Sequence, residues 1–371
     1  MYFPQEEYEQ RWQRVYDEMK TRGYNTAVIW GRTAGTYERC ADMVYLSNYY
    51  STMSGHQPDG PVSQAKAFSA LIFHLGETPE LHMDMPSYDM ELLATDRVEG
   101  HADPIKGVSD AMKRLGIEGR VAMTGFDFLP VKYARQLEQD TPGIEWAAED
   151  DLVQSVRRIK SQRELDCYRH GGQIVSRALH RLIEGLVQGK AEAEAAAGAA
   201  EEVTRGGGRF HMIPVSHGDS IQYFCRTPLA GFSEDAPEPG DLVRGWVYGP
   251  IYQGYWLDPG RTAIAGKKAT PEQKVLVEGC AGIVEGVMKA IKPGVRVDDV
   301  VRIGERLTEE AGGEKDQAAE MFPVFGHGVG LFWEPPALHI GQESNEVFKE
   351  GMVLGVEAFL ATPSWVALRE R

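Results

Sequence analysis

Residues 325–331 read FGHGVGL, and this glycine-rich run around His327 decides how the rest of the chain is interpreted. Glycine has no side chain, so a ligand or an ion can approach the backbone of such a run closely. Residues 352–360 read MVLGVEAFL, an apolar run that predicts a buried strand. Glu357 lies inside that run, and a carboxylate buried there must be paired, protonated or bound to a metal. The stretch therefore predicts a buried polar site near the C-terminal end of the chain.

Two more carboxylates complete a candidate set of metal ligands. Asp258 lies in the β-rich segment 252–262, YQGYWLDPGRT, and Glu370 is the penultimate residue. One imidazole and three carboxylates form a ligand set that suits a hard or borderline divalent ion. A structural interpretation stays open for both residues, because Asp-Pro-Gly is a strong turn signal and a terminal glutamate is often exposed.

Length and composition indicate a globular protein of two domains. The 371 residues suffice for a large core, and 42% hydrophobic and 25% charged residues are ordinary values. The formal net charge of −16 argues against nucleic acid or an anionic membrane as a partner, since both need a basic face. Four widely spaced cysteines, no signal-peptide pattern and no membrane-spanning apolar run predict a cytoplasmic location.

The first part of the chain alternates predicted helices and strands, which is typical of an α/β layer of five or six strands. An amphipathic helix is predicted over residues 5–22. Strands are predicted at 26–30, 43–47, 67–73, 81–83 and 120–123, and further helices at 105–115 and 129–138. We expect the domain junction between residues 150 and 160.

The second part of the chain contains a weak internal repeat. Residues 173–185 match residues 282–294 at a constant offset, and a second helix is predicted after each, at 191–204 and 297–312. Strands follow each helix pair, so two ααβ halves would pack around a shared sheet and place a site at their interface. Before the first helix, Ser161 and Glu164 have the spacing of a capping box.

These motifs resemble those of the pita-bread metallohydrolases, the family of prolidase, aminopeptidase P, methionine aminopeptidase and the metal-free creatinase. The resemblance is carried by FGHGVGL, by the Glu-Pro-Pro at 334–336, by GMVLGVE at 351–357 and, in the N-terminal part, by VYLSNY at 44–49. It implies an α+β fold, in which an α/β creatinase/prolidase-type domain (1–155) precedes a pita-bread catalytic domain (156–371). The catalytic domain would have pseudo-two-fold ααβ halves and a shortened final strand. The resemblance also implies a homodimer.

The resemblance assigns metal-ligand roles to Asp258, His327, Glu357 and Glu370. It implies one divalent metal ion, which would be manganese, iron, cobalt or zinc, or no metal at all. Relatives carry another aspartate eleven residues before the bridging one, and counting back from Asp258 reaches Val247. Residues 242–249 contain no carboxylate, so the second metal position is expected to be weakened or lost. A single cation still suffices to activate water near neutral pH.

The histidines that the peptidases of this family use are replaced, because Phe224 and Trp333 stand at about their positions. Other residues are therefore candidates for the chemistry. The candidate catalytic residues are Glu357, His217 and Glu334, and the candidate substrate-binding residues are Tyr223, Tyr248, Trp333 and His339. Turn formation, core packing or a solvated loop is the structural alternative for each replacement.

The leading hypothesis is a hydrolase that cleaves a C–N bond of amide, amidine or imide type in a small non-standard substrate, with a mononuclear or weakened metal site. The alternatives are an Xaa-Pro dipeptidase or aminopeptidase, a metal-free creatinase-type enzyme, a dimethylsulfoniopropionate-type lyase and a non-catalytic binding module. Metal-dependent cleavage of an Xaa-Pro dipeptide would establish the first alternative, and alkene release would identify the lyase. The retained ligand residues count against a pure binding module.

Overall fold

The structure, a computed structural model, describes residues 3–32, 40–50, 67–84, 88–221, 231–312, 324–332, 339–341, 344–361 and 366–370. The chain divides into two compact units, Met1–Arg157 and Arg158–Arg371. Each unit combines helices and sheets, which confirms the predicted α+β class. No helix in these ranges combines the length and the hydropathy that crossing a lipid bilayer requires.

A six-stranded mixed sheet forms the centre of the first unit. Its strands are β1 (Thr26–Arg32), β2 (Phe68–His74), β3 (Glu80–Met83), β4 (Val98–Gly100), β5 (Gly119–Thr124) and β6 (Ile144–Ala148). Their order across the sheet is β4-β3-β2-β1-β5-β6. β1 pairs with β2 antiparallel and with β5 parallel, and β3 pairs with β4 parallel. The strand number agrees with the prediction from the alternating pattern.

Five helices accompany this sheet in the described part of the first unit. They are α1 (Gln5–Thr21), α2 (Ala41–Ser47), α3 (Pro104–Arg114), α4 (Val131–Asp140) and α5 (Leu152–Arg157). The predicted apolar stripe of α1 is buried at Tyr8, Trp12, Val15 and Met19. Asp103 begins α3, because its side chain accepts hydrogen bonds from two backbone N–H groups of the first turn.

The strand predicted at 43–47 is wrong, because these residues form α2. A short apolar run fits a buried helix as well as a buried strand, and only tertiary packing decides between them. The packing partner here is Gly31 on β1, where a Cβ atom would lie 2.2 Å from Cγ of Met43. Asn48 ends the helix in the left-handed conformation, with a φ of 58°.

Four helices of the second unit form the two predicted pairs. They are α6 (Gln162–Val187), α7 (Glu192–Arg205), α8 (Pro271–Ala290) and α9 (Val297–Glu310). The predicted capping box is present at the start of α6, where Ser161 and Glu164 bond each other's backbone N–H groups. A second capping box, of Thr270 and Gln273, begins α8 and so extends the likeness between the two halves.

The strands of the second unit form three small sheets. They are β7 (Val215–His217), β8 (Leu242–Trp246), β9 (Gly249–Tyr252), β10 (Tyr255–Leu257), β11 (Gly260–Ile264), β12 (Val324–Gly328), β13 (His339–Gly341), β14 (Leu354–Ala361) and β15 (Val366–Glu370). The sheet orders are β11-β8-β7, β10-β9 and β13-β12-β14-β15. Each helix pair has an apolar core of its own, one with α6 and α7 and one with α8 and α9.

The side chains of β14 alternate between two environments, as those of a strand must. Val356, Ala358 and Leu360 belong to the core that contains α8 and α9. Phe359 belongs instead to an aromatic cluster on the other face. Glu357 has the parity of Phe359, so it faces away from the helices.

Candidate active site

Three separate segments bring Asp258, His327 and Glu357 together. Asp258 lies between β10 and β11, His327 lies on β12, and Glu357 lies on β14. β12 and β14 pair antiparallel, with His327 opposite Gly355. The three residues are 6%, 7% and 4% exposed, so all three ionisable groups are buried. The fold therefore brings three of the four predicted ligand residues into the buried region around His327.

Gly326 explains why the glycine run is needed beside His327. Its φ is +145°, and a Cβ atom built on it would lie 2.1 Å from the carbonyl oxygen of Gly355. Only glycine permits this backbone contact between β12 and β14. The contact sets the spacing between the strand that carries His327 and the strand that carries Glu357.

The orientation of the His327 ring follows from its hydrogen bond. Nδ1 lies 3.1 Å from the carbonyl oxygen of Gly328, and since a carbonyl only accepts, Nδ1 carries the hydrogen. Nε2 is therefore the nitrogen that faces Oδ2 of Asp258, at 3.2 Å. A backbone carbonyl that fixes the far nitrogen in this way is typical of metal-binding histidines.

Two carboxylate oxygens in this site lack hydrogen bonds. Oδ2 of Asp258 and Oε1 of Glu357 are fully buried and have no hydrogen-bond partner among the residues that the structure describes. Oδ2 of Asp258 still has an ionic partner in Nε2 of His327, at 3.2 Å. Buried polar atoms are nearly always satisfied, so Oε1 of Glu357 is the stronger indication of a missing ligand.

The buried charges shift one another's pKa values. Burial lowers the pKa of His327, but the carboxylates of Asp258 and Glu357 outweigh burial and raise the pKa to about 9. Burial also raises the pKa of Glu357, against the opposite effect of His327. Without a bound cation, the site is thus an imidazolium beside Asp258. A metal ion would have to displace the proton on Nε2.

The chemistry of these donors fits a divalent cation. An imidazole nitrogen and two carboxylate oxygens suit a borderline ion, and binding would satisfy both oxygens that lack hydrogen bonds. The ligand atoms of Asp258, His327 and Glu357 do not all lie within 4.8 Å of one another. Among described residues, only His82, Glu99 and His101 meet that distance. Glu370 of β15 lies directly opposite Glu357 in the sheet register, next to this donor set.

The strand beside Asp258, β8, carries no carboxylate. Val247, eleven residues before Asp258, has its side chain in the core of α6 and α7. Trp246 and Tyr248 point to the other face, where they pack with Trp256 and Phe359. Trp246 also lies opposite Gly260 in the register of β8 and β11. This face of the segment is therefore aromatic.

The remaining predicted residues have different outcomes. His217 is buried, and its Nδ1 lies 2.8 Å from Oε1 of Glu192 on α7; no described contact joins it to Asp258, His327 or Glu357. Tyr248 belongs to the aromatic cluster and donates its hydroxyl to Sδ of Met212 at 3.1 Å. His339 lies on β13 opposite His327. Tyr223, Trp333 and Glu334 lie outside the described residues.

Sequence reasoning missed the residues whose hydrogen bonds connect the segments around the site. Glu164, interpreted only as a helix cap, also accepts a hydrogen bond from the hydroxyl of Tyr255 at 2.9 Å. The carbonyl of Gly330 accepts from the backbone N–H of Trp256 at 2.8 Å and from the hydroxyl of Tyr168 at 3.2 Å. These bonds tie α6, β10 and the loop after His327 together. Glu357 and Phe359 are two residues apart on one strand, so the sequence could have predicted that Glu357 shares a face with an aromatic side chain.

The comparisons with known proteins identify the class. The model of metallopeptidase family M24 matches residues 166–370, more than half of the chain, and the chain belongs to that family. M24 metallopeptidases use divalent metal ions. An Xaa-Pro dipeptidase of Pyrococcus horikoshii is 28% identical over 259 residues, which are 68% of each chain. A probable dipeptidase, PepE, of Mycobacterium tuberculosis is 27% identical over 351 residues, covering 92% of this chain and 82% of the relative.

Solved structures share the whole fold. The prolidase of Pyrococcus horikoshii superimposes with a TM-score of 0.77 at 22% identity, over 97% of this chain and 94% of its own. The X-Pro aminopeptidase of Thermotoga maritima gives a TM-score of 0.75 at 19% identity, over 97% and 93%. The pita-bread fold expected from the glycine run is therefore confirmed.

Proposed function

We propose that this M24 protein is a hydrolase that cleaves a C–N bond of amide, amidine or imide type in a small substrate. Asp258, His327, Glu357 and Glu370 would hold a single divalent ion. One observation carries the proposal: a buried oxygen of Glu357 lacks a hydrogen-bond partner in the described structure, close to the pair that Asp258 forms with an oriented imidazole. A core built only for stability would have paired or removed this carboxylate.

The role of each residue follows from its position. His327 would present Nε2, because Nδ1 is held by the carbonyl of Gly328. Asp258 would offer Oδ2, the oxygen nearest to that nitrogen. Glu357, on the face of β14 opposite to the helices, would take the proton of the attacking water and return it to the leaving nitrogen. When bound, the ion would act as a Lewis acid toward the carbonyl or amidine of the substrate.

A single ion is favoured over a pair by the residues beside Asp258. Trp246 and Tyr248 share one face of the segment whose backbone pairs with residues 259–260, and neither offers an oxygen of carboxylate type. A second ion would therefore lack the ligand that relatives supply from this strand. The aromatic side chains instead form an apolar wall, which suits a substrate with a flat or cationic group.

Several finer assignments stay predictions. Tyr223, Trp333 and His339 as substrate contacts, His217 and Glu334 as catalytic residues, and the domain assignment 1–155 and 156–371 belong to this group. The homodimer and the cytoplasmic location belong to it as well. For His217 the ion pair with Glu192 supports a structural role equally well.

A second candidate is an Xaa-Pro dipeptidase, and the relatives favour it. The proteins of Pyrococcus horikoshii and Pyrococcus furiosus that match this chain, at 28% and 26% identity, are both named Xaa-Pro dipeptidase. This function would need a proton donor in place of the peptidase histidines that the sequence lacks. Efficient manganese- or cobalt-dependent cleavage of Xaa-Pro dipeptides, with weak activity on other amides, would establish it.

The test combines metal analysis with a substrate panel. The purified protein is loaded with manganese, cobalt or zinc, and its metal content and hydrolysis of Xaa-Pro dipeptides, simple amides, amidines and cyclic imides are measured. We expect Asp258→Asn to lose the ion and at least about 100-fold in kcat/KM. Asp299→Asn, at an exposed position of α9, should change neither. Full activity of Asp258→Asn in metal-free buffer would overturn the metal-dependent mechanism.

A further inference from the structure

We propose that His82, Glu99 and His101 form a zinc-binding site within the first unit. One ring nitrogen from each histidine and one carboxylate oxygen lie within 4.8 Å of one another. His82 and Glu99 are direct partners in the register of β3 and β4, and His101 comes immediately after β4. Two imidazoles and a carboxylate, with water as a fourth ligand, form a ligand set that zinc commonly takes.

The partner of His82 prepares it as a ligand. Nε2 of His82 lies 2.9 Å from Oε1 of Glu80, whose other oxygen accepts from Nη2 of Arg97 at 2.8 Å. Arg114 also donates to Glu80. A carboxylate that faces two guanidinium groups is ionised and only accepts, so Nε2 of His82 carries a hydrogen and Nδ1 is the nitrogen left to face a cation. Such carboxylate–histidine pairs orient zinc ligands in other proteins.

The second imidazole faces Nδ1 of His82 directly. Nε2 of His101 lies 2.9 Å from Nδ1 of His82, and the two rings are within 14° of parallel. One of these two nitrogens donates a hydrogen to the other when no cation is bound. Zinc would take the place of that hydrogen, which would be released as a proton. Two nitrogens on one tetrahedral zinc lie about 3.3 Å apart, so the rings need to separate only slightly.

The surroundings leave room for this change. The side chain of His101 is 21% exposed, so its ring can turn toward solvent. Gly107 on α3 lies against the ring, and a Cβ atom there would come within 2.6 Å of it. Glu99 uses Oε1 for Arg114, at 3.5 Å, whereas Oε2 lies 3.5 Å from Nε2 of His101. One oxygen of Glu99 is thus directed toward the histidines.

The experiment counts zinc in the full-length protein. A background variant with Asp258→Asn and Glu357→Gln removes the candidate site of the second unit, so the zinc that remains reports on the first unit. After equilibrium dialysis at micromolar free zinc, we expect about one ion per chain in this background. Adding His101→Gln should abolish that zinc, and adding Glu99→Gln should weaken its binding at least about 10-fold. X-ray absorption at the zinc edge should show two imidazoles.

His180→Gln is the matched control, because His180 lies on α6 with its side chain 80% exposed and 3.6 Å from Glu184. It should leave the zinc content unchanged. No zinc in the background variant would overturn the proposal. Equal zinc with and without His101→Gln would also overturn it, because it would show an adventitious ion only. If the background variant does not fold, the same comparison in the wild-type protein decides. There, His101→Gln should cost one ion and leave the ion of Asp258 in place.

Discussion

Two glutamates of this protein are equally buried and have opposite electrostatic surroundings. Glu80 on β3 and Glu357 on β14 are each 4% exposed. A hydrogen bond from His82, together with Arg97 and Arg114, holds the pKa of Glu80 at about 2, against the effect of burial. Burial instead raises the pKa of Glu357, whose Oε1 has no hydrogen-bond partner in the described part of the chain.

The difference separates a group that serves the fold from a group that serves a ligand. Glu80 receives three donors, so its charge is compensated within the protein and contributes to stability. His327 offsets the cost of burying Glu357 only in part. This remaining cost, rather than burial alone, supports the proposal that Glu357 belongs to a ligand site.

The largest expected effect is on catalysis. Replacing Glu357→Gln removes the group that would handle the proton, so we expect kcat to fall about 100- to 10,000-fold. The melting temperature of the metal-free protein should not fall, because a buried ionisable group is replaced by a neutral one of equal size. Steady-state kinetics and calorimetry of the metal-free protein check the two parts.

Glu184→Gln, at an exposed position of α6, should be indistinguishable from the wild type in both measurements. A metal-free Glu357→Gln protein that is clearly less stable than the wild type would break the comparison. It would mean that Glu357 is compensated by residues of the protein after all.

The next effect concerns the strand contact that positions His327. In Gly326→Ala the new methyl group would meet the carbonyl of Gly355 in a backbone conformation that disfavours alanine, so we expect a loss of about 3 kcal/mol or more. Denaturant unfolding measures the loss. Gly172→Ala on α6 is the control, because a Cβ there meets nothing within 4 Å. It should be neutral or stabilise by about 0.5–1 kcal/mol.

A smaller effect is expected from the compensated glutamate. Glu80→Gln leaves Arg97 and Arg114 without their shared carboxylate, so we expect a loss of about 2 kcal/mol in the free energy of unfolding. Catalysis should be unchanged, in contrast to Glu357→Gln. Equal stability of Glu80→Gln and wild type in urea unfolding would show that the donors around Glu80 contribute nothing.

The smallest effect comes from an exposed carboxylate. Arg22 holds Asp151 at 2.6 Å, and this hydrogen bond lowers the pKa of Asp151 below its ordinary 3.8. The stabilisation is therefore present above that pH and is lost as the pH falls through the lowered pKa. Because Asp151 is 63% exposed, Asp151→Asn should cost less than about 1 kcal/mol at pH 7. The cost should vanish in strong acid, which urea unfolding against pH would show.

Local signals in the sequence predicted most of the fold. Short-range patterns predicted the apolar stripe of α1, the capping box of Ser161 and Glu164, and the paired helices of the second unit. All three are present in the structure. The strand predicted at 43–47 failed because a run of four apolar residues followed by a serine does not separate a buried helix from a buried strand. The helix packs closely against Gly31 of β1, a tertiary contact that the local pattern does not show.

The candidate site was less accessible to sequence reasoning. The grouping of Asp258, His327 and Glu357 followed from motifs, but the aromatic face that contains Trp246 and Tyr248 did not. The register of β9 and β10 shifts between Tyr255 and Leu257, so strand parity cannot be counted across this hairpin from the sequence. The hydrogen bonds of His82 with His101 and of Glu80 with Arg97 and Arg114 join different elements and have no local signature.

The contact of Gly326 with Gly355 has a practical meaning for protein engineering. The distance between the strand that carries His327 and the strand that carries Glu357 is set where their two main chains touch. Swapping one ligand for another would therefore alter affinity but hardly the size of the cage. Retuning the preference for a larger or smaller ion would require a redesign of how these two strands meet.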